Sequence, residues 1–260
     1  MAASVKPVEL QAETVRAFDA YISAVEAAFQ AALHGCRTLF SGTEATGREQ
    51  RLRAGEVVAQ LWAGKHPVPA PSGLIHDWVG AVVIPAVTLA NTLACVQDYD
   101  HHKNIYQPEV VDSRLISRQG DDFTIYLRLR KKKILTVVLD TDHDVHYSRI
   151  EPFCCYCRSR TTRICEVQDP GASNEQILPP DTGYGFLWRL NSYWKFHEMS
   201  DGALVECRAI SLTRDVPAAL KWIVNPIVRS LPKESLCNTL AATRRALVSV
   251  RSASTGVAEN

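Results

Sequence analysis

Two runs of alternating apolar and polar residues near the C-terminus set the pattern for this chain. Phe186 to Glu198 and Ala203 to Thr213 flank Ser200-Asp201-Gly202. Asp-Gly between alternating runs predicts a hairpin. A two-residue loop at Asp201-Gly202 sets Phe196 against Cys207, Trp194 against Ala209 and Ser192 against Ser211. One face then carries Trp188, Leu190, Trp194 and Phe196 with Val205, Cys207 and Ala209. The other carries Arg189, Lys195 and His197 with Glu206, Arg208 and Arg214, and His197 meets Glu206 across the strands.

Upstream, residues 74–84, 110–117, 122–130, 135–145 and 155–167 also read as strands. In the third of these, Phe123, Ile125, Leu127 and Leu129 alternate with polar partners, the mark of a half-buried antiparallel strand. In the fourth, Leu135, Val137, Leu139, Thr141, His143 and Val145 share a side. The fifth places Cys155, Cys157, Ser159 and Thr161, all small, on one side. Residues 57–62 predict a further short strand, and 87–97 a helix.

The N-terminal pattern is different. Val15, Phe18, Ile22, Val25, Phe29 and Leu33 recur at spacings of three and four, which predicts an amphipathic helix over 10–35. Ser41 to Arg51 reads as a polar loop, and the proline-rich stretch 66–72 as an extended connector. Asp98 to Tyr106 reads as a polar connector, and Gln168 to Gly183 as a long loop. Pro226 and Pro232 predict a break between a helical piece near 218–224 and a last helix over 232–250, with Leu236, Leu240, Thr243 and Leu247 on its inner stripe.

Composition narrows this picture only a little. An apolar share of 46% allows a sizeable core, and a net charge of +1 points to no polyanionic partner. The longest apolar stretch, Ala81 to Ala94, is too short to cross a bilayer and is interrupted by Pro85. Eight cysteines at no framework spacing, with no basic-then-apolar leader, fit a reducing, cytoplasmic location with free thiols. Cys154, Cys155, Cys157 and Cys165 lie in a strand pattern without a second knuckle, so zinc is not expected. Asp140, Asp142, Asp144 and His146 read as a solvated charge stripe.

The order of strand, helix, antiparallel strands and terminal helix excludes a doubly wound sheet. It predicts an α+β fold in which a curved antiparallel sheet wraps the C-terminal helix, with an added N-terminal amphipathic helix. Residues 1–55 form the extension, 56–250 the core domain and 251–260 a disordered tail. The sequence resembles the START/Bet v 1-type helix-grip superfamily, in the group of polyketide cyclase-like and coenzyme Q-binding-like proteins. The resemblance rests on Gly73-Leu-Ile-His-Asp-Trp78, Tyr106-Gln-Pro-Glu-Val110, Leu190-Asn-Ser-Tyr-Trp-Lys-Phe196 and the proline-led helix 232–247. It implies a cavity between sheet and helix for a hydrophobic ligand.

The residues expected to line that cavity are His76, Trp78, His143, Cys157, Ser159, Trp188, Ser192, Trp194, Phe196, Ala209, Leu236 and Leu240. His76, His143 and Arg189 are the candidate polar anchors, Arg189 falling on the outer face in this register. No phosphate loop, nucleophile elbow or zinc-protease motif is present. No catalytic residue, metal or cofactor is assigned. The expected function is binding of a lipid, isoprenoid or polyketide. A cyclase/aromatase-like enzyme using His143 is the alternative, and an interaction protein acting through the N-terminal helix a third. The basic tip Arg128, Arg130, Lys131, Lys132 and Lys133 is a candidate for transient contact with an anionic membrane. It lacks the aromatic platform that nucleic-acid binding needs.

Overall fold

The computed structural model describes residues 7–33, 36–39, 45–62, 66–133, 136–215 and 221–255, with backbone alone for 31–33, 45–46, 221–229 and 250–255. In chain order, β1 (Val8–Glu9) leads to α1 (Ala12–Leu33) and α2 (Ala45–Arg53). Three strands follow, β2 (Val58–Leu61), β3 (Val68–Ala70) and β4 (Gly73–Pro85). Then come α3 (Leu89–Val96), a 3₁₀ turn over Tyr99–His101 and α4 (His102–Ile105). The long strands are β5 (Val110–Gln119), β6 (Asp122–Lys132), β7 (Thr136–Glu151) and β8 (Cys154–Gln168). After the short β9 (Gln176–Ile177) and β10 (Thr182–Gly183) come β11 (Arg189–Met199), β12 (Gly202–Arg214) and α5 (Lys221–Thr255).

The main sheet is antiparallel, in the order β2-β4-β12-β11-β8-β7-β6-β5, with β3 also on β4 and β9 on β8. α5 crosses its inner face. The helix seats where β4 has no side chain: a Cβ on Gly80 would lie 2.8 Å from Leu240 Cδ1 and 3.1 Å from Leu236 Cδ2. This is the helix-grip α+β architecture.

The outer face is also covered. Phe18, Ile22, Val25 and Phe29 of α1 pack on Ile75, Val79, Tyr156, Tyr193, Ile210 and Leu212 in a second core. The helix is anchored by Tyr21 Oη, which donates to Asp77 Oδ2 (2.6 Å), and by Glu26, which accepts from Tyr193 Oη (3.3 Å) and pairs with Arg158 (3.5 Å). Charged groups at outward strand positions are therefore buried in pairs. Lys195 and Glu206 are 3.2 Å apart, and Arg208 holds Asp77.

Several expectations change. The hairpin turn is Ser200-Asp201, with Met199 paired to Gly202, so Phe196 faces Val205 and Trp194 faces Cys207. Gly202 opens β12, paired with Met199 and Pro85, and must be glycine because a Cβ there would stand 2.1 Å from the Ile84 carbonyl oxygen of β4. The register moves by an even number of residues, so each strand keeps its faces, except at the end of β12, where Arg214, expected on the outer face, lines the inner hollow. Glu206 consequently opposes Lys195 rather than His197.

Residues 45–53 form α2 rather than a loop. α5 runs unbroken through Pro226 and Pro232 and on to Thr255, across residues assigned to the tail. The first residues of the expected piece near 218–224 and the strand position Leu135 lie outside the described residues.

Cys36 and Cys154 form a disulfide rather than free thiols. Asp140 is buried and accepts from Tyr126 Oη (2.7 Å), not solvated, while Asp142 and Asp144 pair with Arg163 and Arg160.

Candidate functional site

Because α5 rests on β4 and β12, the sheet beyond them curves away from the helix and leaves a hollow. Its volume is about 1270 Å³. β12, β11, β8, β7 and β6 supply the floor, α5 the roof, and α4 with the residues after it one wall.

Of the expected lining, His143, Cys157, Ser159, Ser192, Trp194, Phe196, Ala209 and Leu236 face the hollow. Small side chains on β8 and β12 keep it open. Trp194 and Phe196 lie parallel, with ring centroids 6.0 Å apart, along one strand rather than across the space.

Four expected residues are elsewhere. Trp188 precedes β11, so strand alternation does not govern it, and its ring enters the outer core. Leu240 is fully buried against Gly80 under the helix. Trp78 donates from Nε1 to His66 Nε2 (3.2 Å) and lies beneath Lys233 of α5. His76 stands beside Thr213, with Nε2 3.1 Å from its Oγ1, so Thr213 and not His76 meets the cavity. Arg189 pairs with Asp181 at 2.5 Å, outside the lining.

Residues not anticipated add polar points. Tyr147 continues the alternation of β7 past Val145, a legible signal. Tyr99 lies in what reads as a polar connector. Their hydroxyls are 2.8 Å apart, and burial pushes both well above the usual phenol range. Burial likewise raises the Cys157 thiol, so it stays protonated and unreactive.

Thr141 Oγ1 donates to the Leu127 carbonyl (2.9 Å) and so accepts from His143 Nε2 (2.9 Å). That fixes the proton on Nε2 and leaves Nδ1 as an acceptor, 3.5 Å from Ser159 Oγ. Burial lowers the His143 pKa to about 4.

A pH dependence follows. The folded pKa of His143 lies below the unfolded value of 6.5, so the unfolded state takes up the proton first. The neutral ring's contribution is complete above pH 6.5 and is lost as pH falls from there toward 4. The gap corresponds to about 3 kcal/mol. His102, buried and also lowered to about 4, acts in the same direction. Urea unfolding at pH 7 and pH 4.5 is expected to show a smaller acid loss for His143→Asn than for wild type. Equal losses would remove this account.

At the tip between β6 and β7, Lys131 pairs with Glu109 (2.6 Å) and Glu234 (3.4 Å), and Lys133 with Glu234 (2.8 Å). Arg128 pairs with Glu175 (2.6 Å). Arg130 and Lys132 are the tip cations outside any ion pair among the described residues.

A curved antiparallel sheet that grips its C-terminal helix around a cavity defines a helix-grip fold. No protein-family model matches the sequence, and no curated protein matches it. Among solved structures, the chain is similar to a STAR-related lipid transfer protein fragment from Xanthomonas axonopodis. The two are 16% identical over 73% of this chain and 98% of that one, with TM-score 0.46. It is also similar to the Zhui aromatase/cyclase from Streptomyces, at 7% identity over 66% and 93% of the two chains, TM-score 0.45. Human STARD10 is 12% identical over 82% and 83%, TM-score 0.43.

Proposed function

We propose that this protein binds a hydrophobic small molecule, of the lipid, isoprenoid or polyketide class, between the sheet and α5. The supporting observation is the hollow itself. Its volume of about 1270 Å³ exceeds the roughly 300–1,000 Å³ typical of pockets for drug-sized ligands. Its walls are mainly apolar, so the driving force is burial of apolar ligand surface, about 25 cal/mol per Å² before the cost of association.

Binding is the reading rather than acid–base catalysis. A histidine whose conjugate acid has a pKa of about 4 is a weak base at neutral pH, and His143 is the only histidine at the floor among the described residues. The cyclase reading requires it to take and return protons.

Native mass spectrometry after mild purification, with thermal shifts against a lipid panel, tests the proposal. A co-purifying apolar molecule or a stabilising lipid is expected. Ala209→Trp, which puts an indole into the hollow from β12, is expected to abolish both signals. Retention of full binding by that variant, or no ligand at all with wild type, would count against the site.

A further inference from the structure

Arg214 is the last residue of β12 and lines the cavity, as do Tyr184 to Leu187 ahead of β11. It is half-buried, and its Nη1 is shielded from solvent without a hydrogen-bond partner. Among the described residues no carboxylate stands within ion-pair distance of it. This contrasts with Lys131 and Lys133 on the same rim, which are neutralised by Glu109 and Glu234. Nor is Arg214 supplied by Glu166, the buried acid of the same wall. That carboxylate is taken by the backbone N–H groups of Tyr184 (2.6 Å), Gly185 (2.8 Å) and Phe186 (3.0 Å).

The local backbone is shaped to admit this side chain. Arg214 N donates to the Gly185 carbonyl (2.8 Å). Gly185 has φ +78°, and a Cβ on it would lie 2.3 Å from the Arg214 Cβ. Only glycine satisfies both the left-handed conformation and the contact.

A guanidinium carries five donors and stays charged. Leaving part of one shielded and unpaired costs free energy that an incoming anion would recover. Arg130 and Arg245 also line the hollow outside any ion pair among the described residues, but both are exposed, whereas Arg214 is partly shielded. An apolar hollow with such a cation on its wall is complementary to a molecule with a greasy tail and a charged head.

We propose that Arg214 anchors the anionic head, a carboxylate or a phosphate monoester, of an amphipathic ligand whose tail fills the cavity. The proposal rests on the hydrophobic-ligand reading above and narrows it: the ligand is an acid, and its head lies at the β12 end.

The test compares three probes that share one tail: oleate, oleoyl lysophosphatidate and oleyl alcohol. Each is titrated calorimetrically into the full-length wild type, Arg214→Gln and Arg214→Lys at neutral pH. Wild type is expected to bind at least one of the two acids about tenfold or more tighter than the alcohol, the size of a charge-assisted contact. Arg214→Gln should remove that preference while keeping its affinity for the alcohol. Arg214→Lys should retain part of it. The better acid identifies the head as carboxylate or phosphate. Wild type binding alcohol and acids equally overturns the anchor and leaves the hydrophobic-ligand reading standing. So does an undiminished preference in Arg214→Gln. Failure of all three probes overturns both. The wild-type comparison decides the question even where a variant folds poorly.

Discussion

Leu240→Ala is expected to destabilise the protein by about 3 kcal/mol, within the 2–5 kcal/mol range for truncating a fully buried leucine. Leu240 has no exposed surface and stands on Gly80, where β4 offers backbone in place of a side chain. Removing its isopropyl end leaves a void that the strand cannot fill, so the cavity penalty is added to the lost transfer energy. For a chain of this size the midpoint of thermal unfolding should fall by roughly 6–12 °C. Leu236→Ala is the control. Leu236 also reaches Gly80, but it lines the hollow, so its removal enlarges an existing space and costs less. Urea unfolding of both variants separates the two. A cost below about 1 kcal/mol for Leu240→Ala would mean that α5 is not seated on β4 as described.

The seat also explains which site residues the sequence could yield. Period-two alternation assigns a face, and it assigned His143, Cys157, Ser159, Trp194 and Phe196 to the inner one, where they line the hollow. His76 and Trp78 of β4 were expected at the hollow too, without a face having been assigned to their strand. Alternation does not say where along the sheet a helix comes to rest. α5 rests on β4, so those two residues lie under or beside it, and only the strands farther across meet empty space. A signal was present in Gly80, a missing side chain in a strand otherwise rich in β-branched residues.

The outer face was harder to read, because polarity alone suggests solvent. Lys195, Glu206, Arg208 and Asp77 are buried because they pair with each other beneath α1 and the residues near it. No local pattern reports such pairing. The same holds for the link between Cys36 and Cys154, which are 118 residues apart. Pro226 and Pro232 predicted a break that α5 does not show, since a proline's missing hydrogen bond can be outweighed by packing of the rest of the helix.

The largest single loss is expected from Asp77→Ala. Asp77 receives Arg208 Nε at 3.0 Å and Nη2 at 2.6 Å, a two-point grip, together with the Tyr21 hydroxyl at 2.6 Å. Arg208 stacks on the Trp62 ring at 3.7 Å, and only 4% of Asp77 and 6% of Arg208 is exposed. Removing the carboxylate strands a guanidinium in the outer core and takes away the hydrogen bond that ties α1 to β4. Breaking one half of a buried pair costs about 3–5 kcal/mol, mostly from the charge left without a partner. Replacing both halves by apolar groups is far milder, so Asp77→Leu combined with Arg208→Met should recover most of the stability lost in Asp77→Ala. Recovery of stability need not restore the helix contact. Limited proteolysis should therefore cut the N-terminal segment faster in both variants than in wild type, because Tyr21 has lost its acceptor in each. Urea unfolding alongside proteolysis separates the two consequences. If the double variant is as unstable as Asp77→Ala, the damage comes from lost packing rather than from the stranded charge.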